Sequence, residues 1–348
     1  MAVLPGLVNA HAHLQLDALP RARREFLPWI GAVMQARAGQ SPADFRALAL
    51  RSLRELLHSG TTAVGEIDST GCTAAALRTV PMVGRLYREL TGFHLRGSEA
   101  RKLVRTNMPG KGTSMLPGLS PHAPYSVSPD LMRAAAQRTR SLAIHCAEIP
   151  EEQQFLRTGT GPFAALLERL GKLPADFKAP GCGAVRWLER LGVLRPGTQL
   201  VHCQELERGD QARIAVSGAA ITVCPGTIEY FRRTPPPVAK WLRAGIPVAL
   251  GTDSRASNRG LSMRRELRLA SQFWPDLRPE ELLAMATTAG GKALHGPFGG
   301  LRRGRRADFV TVPASSSWHA TLAAFLQDKA ATESVVLAGV RQRPASRR

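Results

Sequence analysis

The sequence predicts an α/β protein, a (β/α)₈ TIM-like barrel with a reduced small β-layer formed near the termini. A chain of 348 residues is long enough for one barrel-sized domain. Eight short runs rich in apolar and β-branched residues recur along it, and helical patterns separate them. Strands that alternate with helices pair in parallel, and eight such units close a barrel.

The candidate elements follow one another over most of the chain. The strands are predicted at Leu7–His13, Thr61–Ile67, Met82–Arg88, Met115–His122, Leu142–Glu148, Gln199–Gln204, Ala220–Pro225 and Val248–Asp253. Helical patterns between them include Ser41–Leu57, Ser128–Arg138, Ala184–Leu191, Leu206–Ser217 and Val238–Ala244. Ser41 and Pro42 favour a helix start, because serine caps free amides of the first turn and proline fits the first helical position.

The carboxyl-terminal tail has a different pattern. Two short strand-like runs, Ala307–Val312 and Ser334–Val340, lie beyond the eighth barrel strand. The sequence therefore predicts a barrel domain over residues 4–298 and a tail over residues 299–348 that carries strands of a reduced β-sandwich.

The composition restricts the class of partner. The formal net charge is +20, yet the basic residues are scattered, with short clusters at 21–24 and 302–306, and aromatic residues make up only 5%. Nucleic-acid-binding surfaces usually gather basic residues into one stripe interleaved with aromatic side chains. The composition therefore favours a solvated basic surface that attracts a small, anionic substrate over a nucleic-acid-binding surface.

Three features bear on the compartment. No run approaches the roughly 20 apolar residues of a membrane span, and the amino terminus lacks the pattern of a signal peptide. The five cysteines form no CxxC pair. These features predict a cytoplasmic protein with no membrane partner.

Five of the nine histidines fall at or near the ends of predicted strands: His11, His13, His122, His145 and His202. The carboxyl ends of barrel strands meet on one face, so these imidazoles are expected to converge there. His11 and His13 are two residues apart in a strand and point to the same side, so both can reach one metal ion. Such a pair alone is more often structural, and the further histidines and an acidic residue at other strand ends favour a metal site.

Two acidic residues also follow barrel strands. Asp253 ends the apolar run IPVALGTD, where a buried carboxylate needs a cation or several donors. A turn before Pro150 would bring Glu148 over the site, where burial raises the pKa of its carboxyl and suits it to proton transfer. Two alternatives stay open: Glu148 as a stabiliser of the following helix start, and His202 as a packing residue bonded to a carbonyl.

Several longer motifs occur in a fixed order: LPGLVNAHAH, SPHAPYSVSP, IHCAE, LVHC, CPGT, VALGTDSRASN and GGLRRGRRADFV. With this order and spacing the chain resembles the amidohydrolase superfamily, in the branch that contains chlorohydrolases and nucleobase and nucleoside deaminases. Within it the chain is similar to aminodeoxyfutalosine and S-adenosylhomocysteine deaminases, over residues 4 to about 312. The resemblance implies a hydrolase of non-peptide carbon–nitrogen bonds.

The resemblance also implies roles for the candidate residues. One divalent metal, zinc in preference to iron, would be held by His11, His13, His145 and Asp253. Glu148, His202 and Asp253 would be catalytic, with metal-bound hydroxide as the attacking group. His122 and Asn258 would contact the substrate.

One absence points to a single metal. Two-metal relatives bridge their ions with a carboxylated lysine at the end of the fourth strand. No lysine lies in Met115–Ser126, and the nearest one, Lys111, precedes that strand.

The sequence departs from the family pattern at three places. Only ten residues precede His11. Either the start is assigned late or the sandwich is reduced. If strands are missing, the tail strands lack partners. The usual CPxSN ends here in Thr227-Ile228, which changes a substrate-side contact. Gln15 cannot supply the acidic ribose contact of some nucleoside deaminases.

The leading hypothesis is deamination of an adenosine-like nucleoside, with aminodeoxyfutalosine as the first candidate and Arg232, Arg233 or Arg255 as a positional candidate to bind its carboxylate. A chlorohydrolase or another carbon–nitrogen hydrolase on the same site is the second. A catalytically dead basic barrel that binds nucleic acid or acts as a scaffold is the alternative from another class. By analogy with relatives, a homo-oligomer is possible.

Overall fold

The predicted barrel is confirmed. The computed structural model describes residues 1–19, 22–110, 112–327 and 332–342. Eight parallel strands, β2 to β9, form one sheet in chain order, and a second sheet of four strands lies beside it. The strands are β1 Ala2–Pro5, β2 Leu7–Ala12, β3 Thr61–Asp68, β4 Val83–Leu90, β5 Met115–Pro121, β6 Leu142–Cys146, β7 Thr198–His202, β8 Ala220–Val223, β9 Val248–Leu250, β10 Phe309–Val312, β11 Ser334–Leu337 and β12 Val340–Gln342.

The helices connect the strands and cover the barrel. They are α1 Phe26–Ala38, α2 Pro42–His58, α3 Thr73–Leu77, α4 Gly97–Thr106, α5 Pro129–Arg138, α6 Pro150–Thr158, α7 Pro162–Arg169, α8 Ala184–Arg190, α9 Asp210–Ser217, α10 Pro225–Phe231, α11 Val238–Arg243, α12 Met263–Phe273, α13 Pro279–Met285, α14 Thr288–Ala293 and α15 Trp318–Leu326. The predicted cap of α2 is confirmed, since the Ser41 side chain accepts from the Asp44 amide. None of the helices in the described ranges is long and apolar enough to span a membrane.

The barrel closes between its last and first strands at their carboxyl ends. The amides of Thr252 and Asp253 both donate to the carbonyl of His11, at 3.0 Å each. The amide of His13 donates in return to the carbonyl of Asp253, at 3.2 Å. Strand β2 also changes register between Asn9 and Ala12, an irregularity that redirects side chains. Closure therefore fixes the backbone of three predicted metal ligands relative to one another.

The opposite end of the barrel is filled. The Arg85 guanidinium donates from Nε to the Leu294 carbonyl at 2.7 Å and from Nη2 to the His295 carbonyl at 2.8 Å. Both carbonyls follow α14, whose last backbone acceptors need donors. Tyr87 is fully buried nearby, and its ring packs so closely against Gly118 that a side chain at that position would collide with it. Arg85 therefore connects β4 to the chain that follows α14 at this end of the barrel.

The small sheet corrects two expectations about the termini. Strand β1 was not predicted, and it pairs antiparallel with β10, so the tail strands do have an amino-terminal partner. The run Ser334–Val340 is not one strand: a turn at Ala338 and Gly339, with φ of 51° and 80°, separates β11 from β12. The division at residue 298 stays a prediction, and residues 343–348 of the proposed tail lie outside the described ranges, as do Arg21 and Lys111.

The packing of β1 gives a stability prediction. Leu4 is fully buried opposite Val310 of β10, whereas the adjacent Val3 is 51% exposed. Replacing Leu4 by alanine should lower the free energy of unfolding by about 2–5 kcal/mol, because the space it leaves cannot fully collapse. The matched Val3→Ala change should cost about 0.5 kcal/mol. Urea unfolding of both variants compares them, and equal losses would show that β1 does not pack as described.

Candidate metal centre and active site

The five histidines predicted at strand ends do converge on the carboxyl face. His11 lies 5.0 Å from His13 and 4.9 Å from His145, measured between ring centroids. His145 in turn lies 4.7 Å from His122 and 5.4 Å from His202. Because β2, β5, β6 and β7 are parallel, the residues that end them meet even though they are far apart in sequence.

The predicted metal ligands form a compact set of nitrogen and oxygen atoms. Asp253 Oδ1 lies 3.7 Å from His11 Nε2 and 3.6 Å from His13 Nε2. His13 Nε2 is 3.4 Å from His145 Nε2. Two groups of three have ligand atoms within 4.8 Å of one another, and both include His11: one adds His13 and Asp253, the other His145 and His202.

Protonation and hydrogen bonding both fit a metal ion. Burial lowers the pKa of His13 and of His145 well below the ordinary value, so their imidazoles are neutral and keep a lone pair for a metal. Neither ring nitrogen of the fully buried His11 has a hydrogen-bond partner among the described residues. Such buried polar atoms are costly unless something binds them, and a divalent cation would do so.

Outer contacts orient these ligands. His145 Nδ1 lies 3.1 Å from the His122 carbonyl, which can only accept, so Nδ1 carries the proton and Nε2 faces the site as an acceptor. Asp253 Oδ2 accepts from Ser257 Oγ at 2.7 Å and Thr227 Oγ1 at 3.2 Å, which leaves Oδ1 for the histidines. Thr227, at the departure from CPxSN, therefore supports Asp253.

The charge of Asp253 follows from its neighbours. Burial raises the pKa of its carboxyl, but the imidazoles of His11, His13 and His202 outweigh burial and hold that pKa well below the usual range. Asp253 is thus a carboxylate at neutral pH. Its backbone has a positive φ of 57°, as does that of His202 at 75°, so both residues turn the chain sharply where a strand ends.

Glu148 swings over the site, as the sequence predicted. Ala147, with φ of 50°, turns the chain after β6. The Glu148 carboxyl then places Oε2 at 3.7 Å from His202 Nε2 and Oε1 at 3.2 Å from Arg233 Nη1. Burial raises the pKa of Glu148 to about 7, and Arg233 acts against that rise. The carboxyl can therefore both give and take a proton near neutral pH.

His122 has a defined protonation state too. Its Nδ1 lies 2.8 Å from Ser126 Oγ, and the Ser126 hydroxyl lies 3.2 Å from the Ala123 carbonyl, to which it donates. Nδ1 then carries the imidazole proton, and Nε2 is an acceptor. Burial lowers the pKa of His122 to about 4 and that of His202 to about 3, so both rings are neutral at pH 7.

A cavity of about 540 Å³ opens above these groups. His13, His122, His145, Glu148, His202 and Asp253 form its polar floor. Its side walls are mostly apolar and come from two helices. Helix α1 contributes Phe26, Trp29, Ile30, Val33 and Met34, helix α7 contributes Phe163, Leu166 and Leu167, and Leu170 follows directly after α7. The cavity therefore combines a polar reactive end with an apolar slot.

Sequence reasoning missed three charged residues that line this cavity: Arg37, Glu89 and Lys172. Glu89 lies at the end of β4, just past the predicted strand end at Arg88, and burial raises the pKa of its carboxyl to about 7. Strand β4 ends at Leu90, and a prediction that extended to that residue would have placed Glu89 at the carboxyl face. Arg37 lies on α1, a helix that was not predicted, and donates to Ser69 Oγ at 2.7 Å.

Some candidate residues lie elsewhere. Asn258 is not among the described residues that line the cavity: its Nδ2 donates to the Thr252 carbonyl at 2.9 Å and to Glu266 Oε1 at 2.8 Å. Gln15 is buried and donates to Asp68 Oδ1 at 2.6 Å. Of the three candidate arginines, Arg255 pairs with Glu55 and Arg233 pairs with Glu148, while Arg232 is exposed.

Comparisons with known proteins agree with this geometry. The sequence profile of the amidohydrolase family matches residues 2–341. The chain is 32% identical over 329 residues to the aminodeoxyfutalosine deaminase of Deinococcus radiodurans, an alignment that covers 87% of this chain and 75% of that protein.

Two solved structures share the fold. The aminofutalosine deaminase of Helicobacter pylori in complex with methylthio-coformycin superposes with a TM-score of 0.85 at 23% identity, covering 98% of this chain and 86% of that one. An adenosine deaminase from Xanthomonas campestris with bound zinc gives a TM-score of 0.78 at 22% identity, covering 98% and 80%.

A buried carboxyl behind Glu148 makes stability depend on pH. Glu152 Oε2 accepts from the Glu148 amide at 2.9 Å, and burial raises the pKa of Glu152 from 4.5 to about 8. A raised pKa in the fold means that its stabilisation is complete below pH 4.5 and is lost as pH rises through 8. Glu152→Gln should therefore reduce the fall in melting temperature between pH 5 and pH 8, whereas the control Glu151→Gln should not. Equal slopes for all three proteins would contradict the assignment.

Proposed function

The chain belongs to the amidohydrolase family, and on that premise we propose that it is a metal-dependent aminohydrolase of an adenosine-like nucleoside. The observation that carries this proposal is one buried carboxyl, Glu148, poised for proton transfer beside the histidine–aspartate centre in a shared cavity. Aminodeoxyfutalosine is the leading substrate candidate, because the relative from Deinococcus radiodurans is named for it. The reaction exchanges a ring amino group for oxygen: water adds, and ammonia leaves.

We assign the metal to His11, His13, His145 and Asp253, and we assign one ion per chain. Imidazole nitrogens and carboxylate oxygens are both zinc ligands, and iron accepts the same ligands. A divalent ion bound there supplies Lewis acidity that lowers the pKa of a water ligand towards neutrality.

The protein groups of the site have separate tasks in the proposal. Asp253 Oδ1 faces the histidines and can accept the proton that the attacking water loses. His202, neutral at pH 7, hydrogen-bonds the attacking oxygen through its ring. Glu148 gives a proton to a ring nitrogen of the substrate, which makes the attacked carbon more electrophilic. The two protons of the added water complete the balance: one, relayed through Glu148, converts the leaving amine to ammonia, and the other restores the Glu148 carboxyl.

The rest of the cavity suits a nucleoside with an extended substituent. His122 presents an acceptor nitrogen at the floor, and Glu89 offers a carboxyl that sugar hydroxyls can donate to. The apolar slot between α1 and α7 is part of the same cavity, and Arg37 and Lys172 line it with positive charge. A substituent that is mainly apolar and carries an anionic group matches both features.

The compartment proposed for this reaction is the cytoplasm. All five cysteines are free thiols, and four of them are buried. Unpaired cysteines are typical of reducing compartments.

The test is ammonia release from a panel of adenosine-type nucleosides, with metal content measured on the same samples. The expected result is about one zinc or iron per chain and ammonia from one class of nucleoside, because a single centre has both a metal and a proton shuttle. His145→Ala should lose metal and activity together. Glu148→Gln should keep the metal but lose activity by about 10²–10⁴-fold, the usual contribution of general acid–base catalysis.

Two other outcomes would favour a different function. Bound metal without ammonia from any panel member would favour another leaving group, such as the chloride of a chlorohydrolase substrate. No metal after reconstitution, together with DNA binding that persists above physiological salt, would favour the catalytically dead barrel.

A further inference from the structure

Arg233 contacts the carboxyl of Glu148, and no sequence motif predicts this contact. Its Nη1 lies 3.2 Å from Glu148 Oε1, and the two side chains are only 15% and 5% exposed. Glu148 lines the cavity, but Arg233 is not among the described residues that do. The guanidinium therefore contacts the carboxyl without lining the cavity.

The guanidinium is held in place by its own neighbours. It lies over the Phe231 ring at 4.5 Å and over the Phe26 ring at 5.8 Å, from the guanidinium carbon to the ring centroids. Such stacking suits the flat cation of arginine. Arg232 ends α10 with φ of 56°, and the Arg233 amide then donates to the Ile228 carbonyl at 2.9 Å. Backbone and side chain are both constrained, so the position of the cation is well defined.

This contact leaves only one oxygen of Glu148 for chemistry. With Oε1 paired to Arg233, the carboxyl cannot rotate freely, and Oε2 faces His202 Nε2 at 3.7 Å. The backbone of Glu148 is held as well, because its amide donates to Glu152. A proton donor fixed at both its backbone and one oxygen meets the substrate nitrogen in one geometry.

We propose that Arg233 is a positioning residue that holds Glu148 through Oε1 so that Oε2 transfers the proton. The inference rests on the proposed function, in which Glu148 is the proton donor. Arg233 acts through Glu148 and does not touch the substrate. Phe26 belongs to α1, so the same contact also connects the wall of the substrate slot to the proton donor.

A double-mutant cycle tests the proposal. Arg233→Met should lower kcat by roughly 10- to 100-fold, the loss expected when a reacting group is displaced by about 1 Å, and should change KM by no more than about 2-fold. Arg233→Lys should recover part of kcat, since an ammonium can still pair with Oε1. In a Glu148→Gln background, Arg233→Met should cause no further loss, because its effect passes through Glu148.

The control is Arg243→Met, which removes an exposed arginine of α11 and should leave both constants unchanged. A rise in KM at constant kcat would overturn the proposal and make Arg233 a substrate-binding residue. An equal loss of kcat with and without the Glu148 carboxylate would overturn it in favour of a structural role.

A crystal structure of Arg233→Met gives a readout that does not depend on turnover. We expect one Glu148 conformer in the parent protein and a rotated or divided carboxyl in the variant. An unchanged Glu148 in the variant would overturn the positioning role even if a substrate is turned over. A displaced Glu148 in a protein that releases no ammonia would instead uphold the positioning and refute the proposed function.

Discussion

The closure of the barrel between β9 and β2 is the constraint on which the site depends. Three backbone hydrogen bonds join His11 and His13 to Thr252 and Asp253, at 3.0 to 3.2 Å. The same residues carry three of the four proposed metal ligands. Barrel closure therefore brings these three residues together, and the remaining proposed ligand, His145, reaches them from β6 because parallel strands end on the same face.

Burial gives this set of residues its chemistry. It keeps the imidazoles of His13 and His145 neutral and able to bind a cation, and it leaves the ring nitrogens of His11 without a partner among the described residues. It also raises the pKa of Glu148 to about 7, which Arg233 opposes. Asp253 and Glu148 thus differ in role because of what surrounds them: the first carboxyl faces imidazoles, and the second faces an apolar slot and one guanidinium.

The sequence predicted the features that depend on periodicity and strand ends. His11, His13, His145, His202, Glu148 and Asp253 follow apolar runs, and the geometry of a barrel brings such residues together. Features that depend on contacts between residues distant in the sequence could not be predicted from periodicity or strand ends. Strand β1 is too short to show a pattern and exists because it pairs with β10. Glu148 pairs with Arg233, and the Asn258 amide donates to Glu266 and does not line the cavity. No local motif indicates either contact.

We propose that four residues from three strand ends form a single metal centre. Anomalous diffraction at the zinc and iron edges, from crystals of the protein purified without chelator, tests it most directly. We expect one peak per chain, within about 2.0–2.2 Å of His11, His13 and His145 nitrogens and one Asp253 oxygen. A second peak bridged to the first, or a peak away from these four residues, would contradict it.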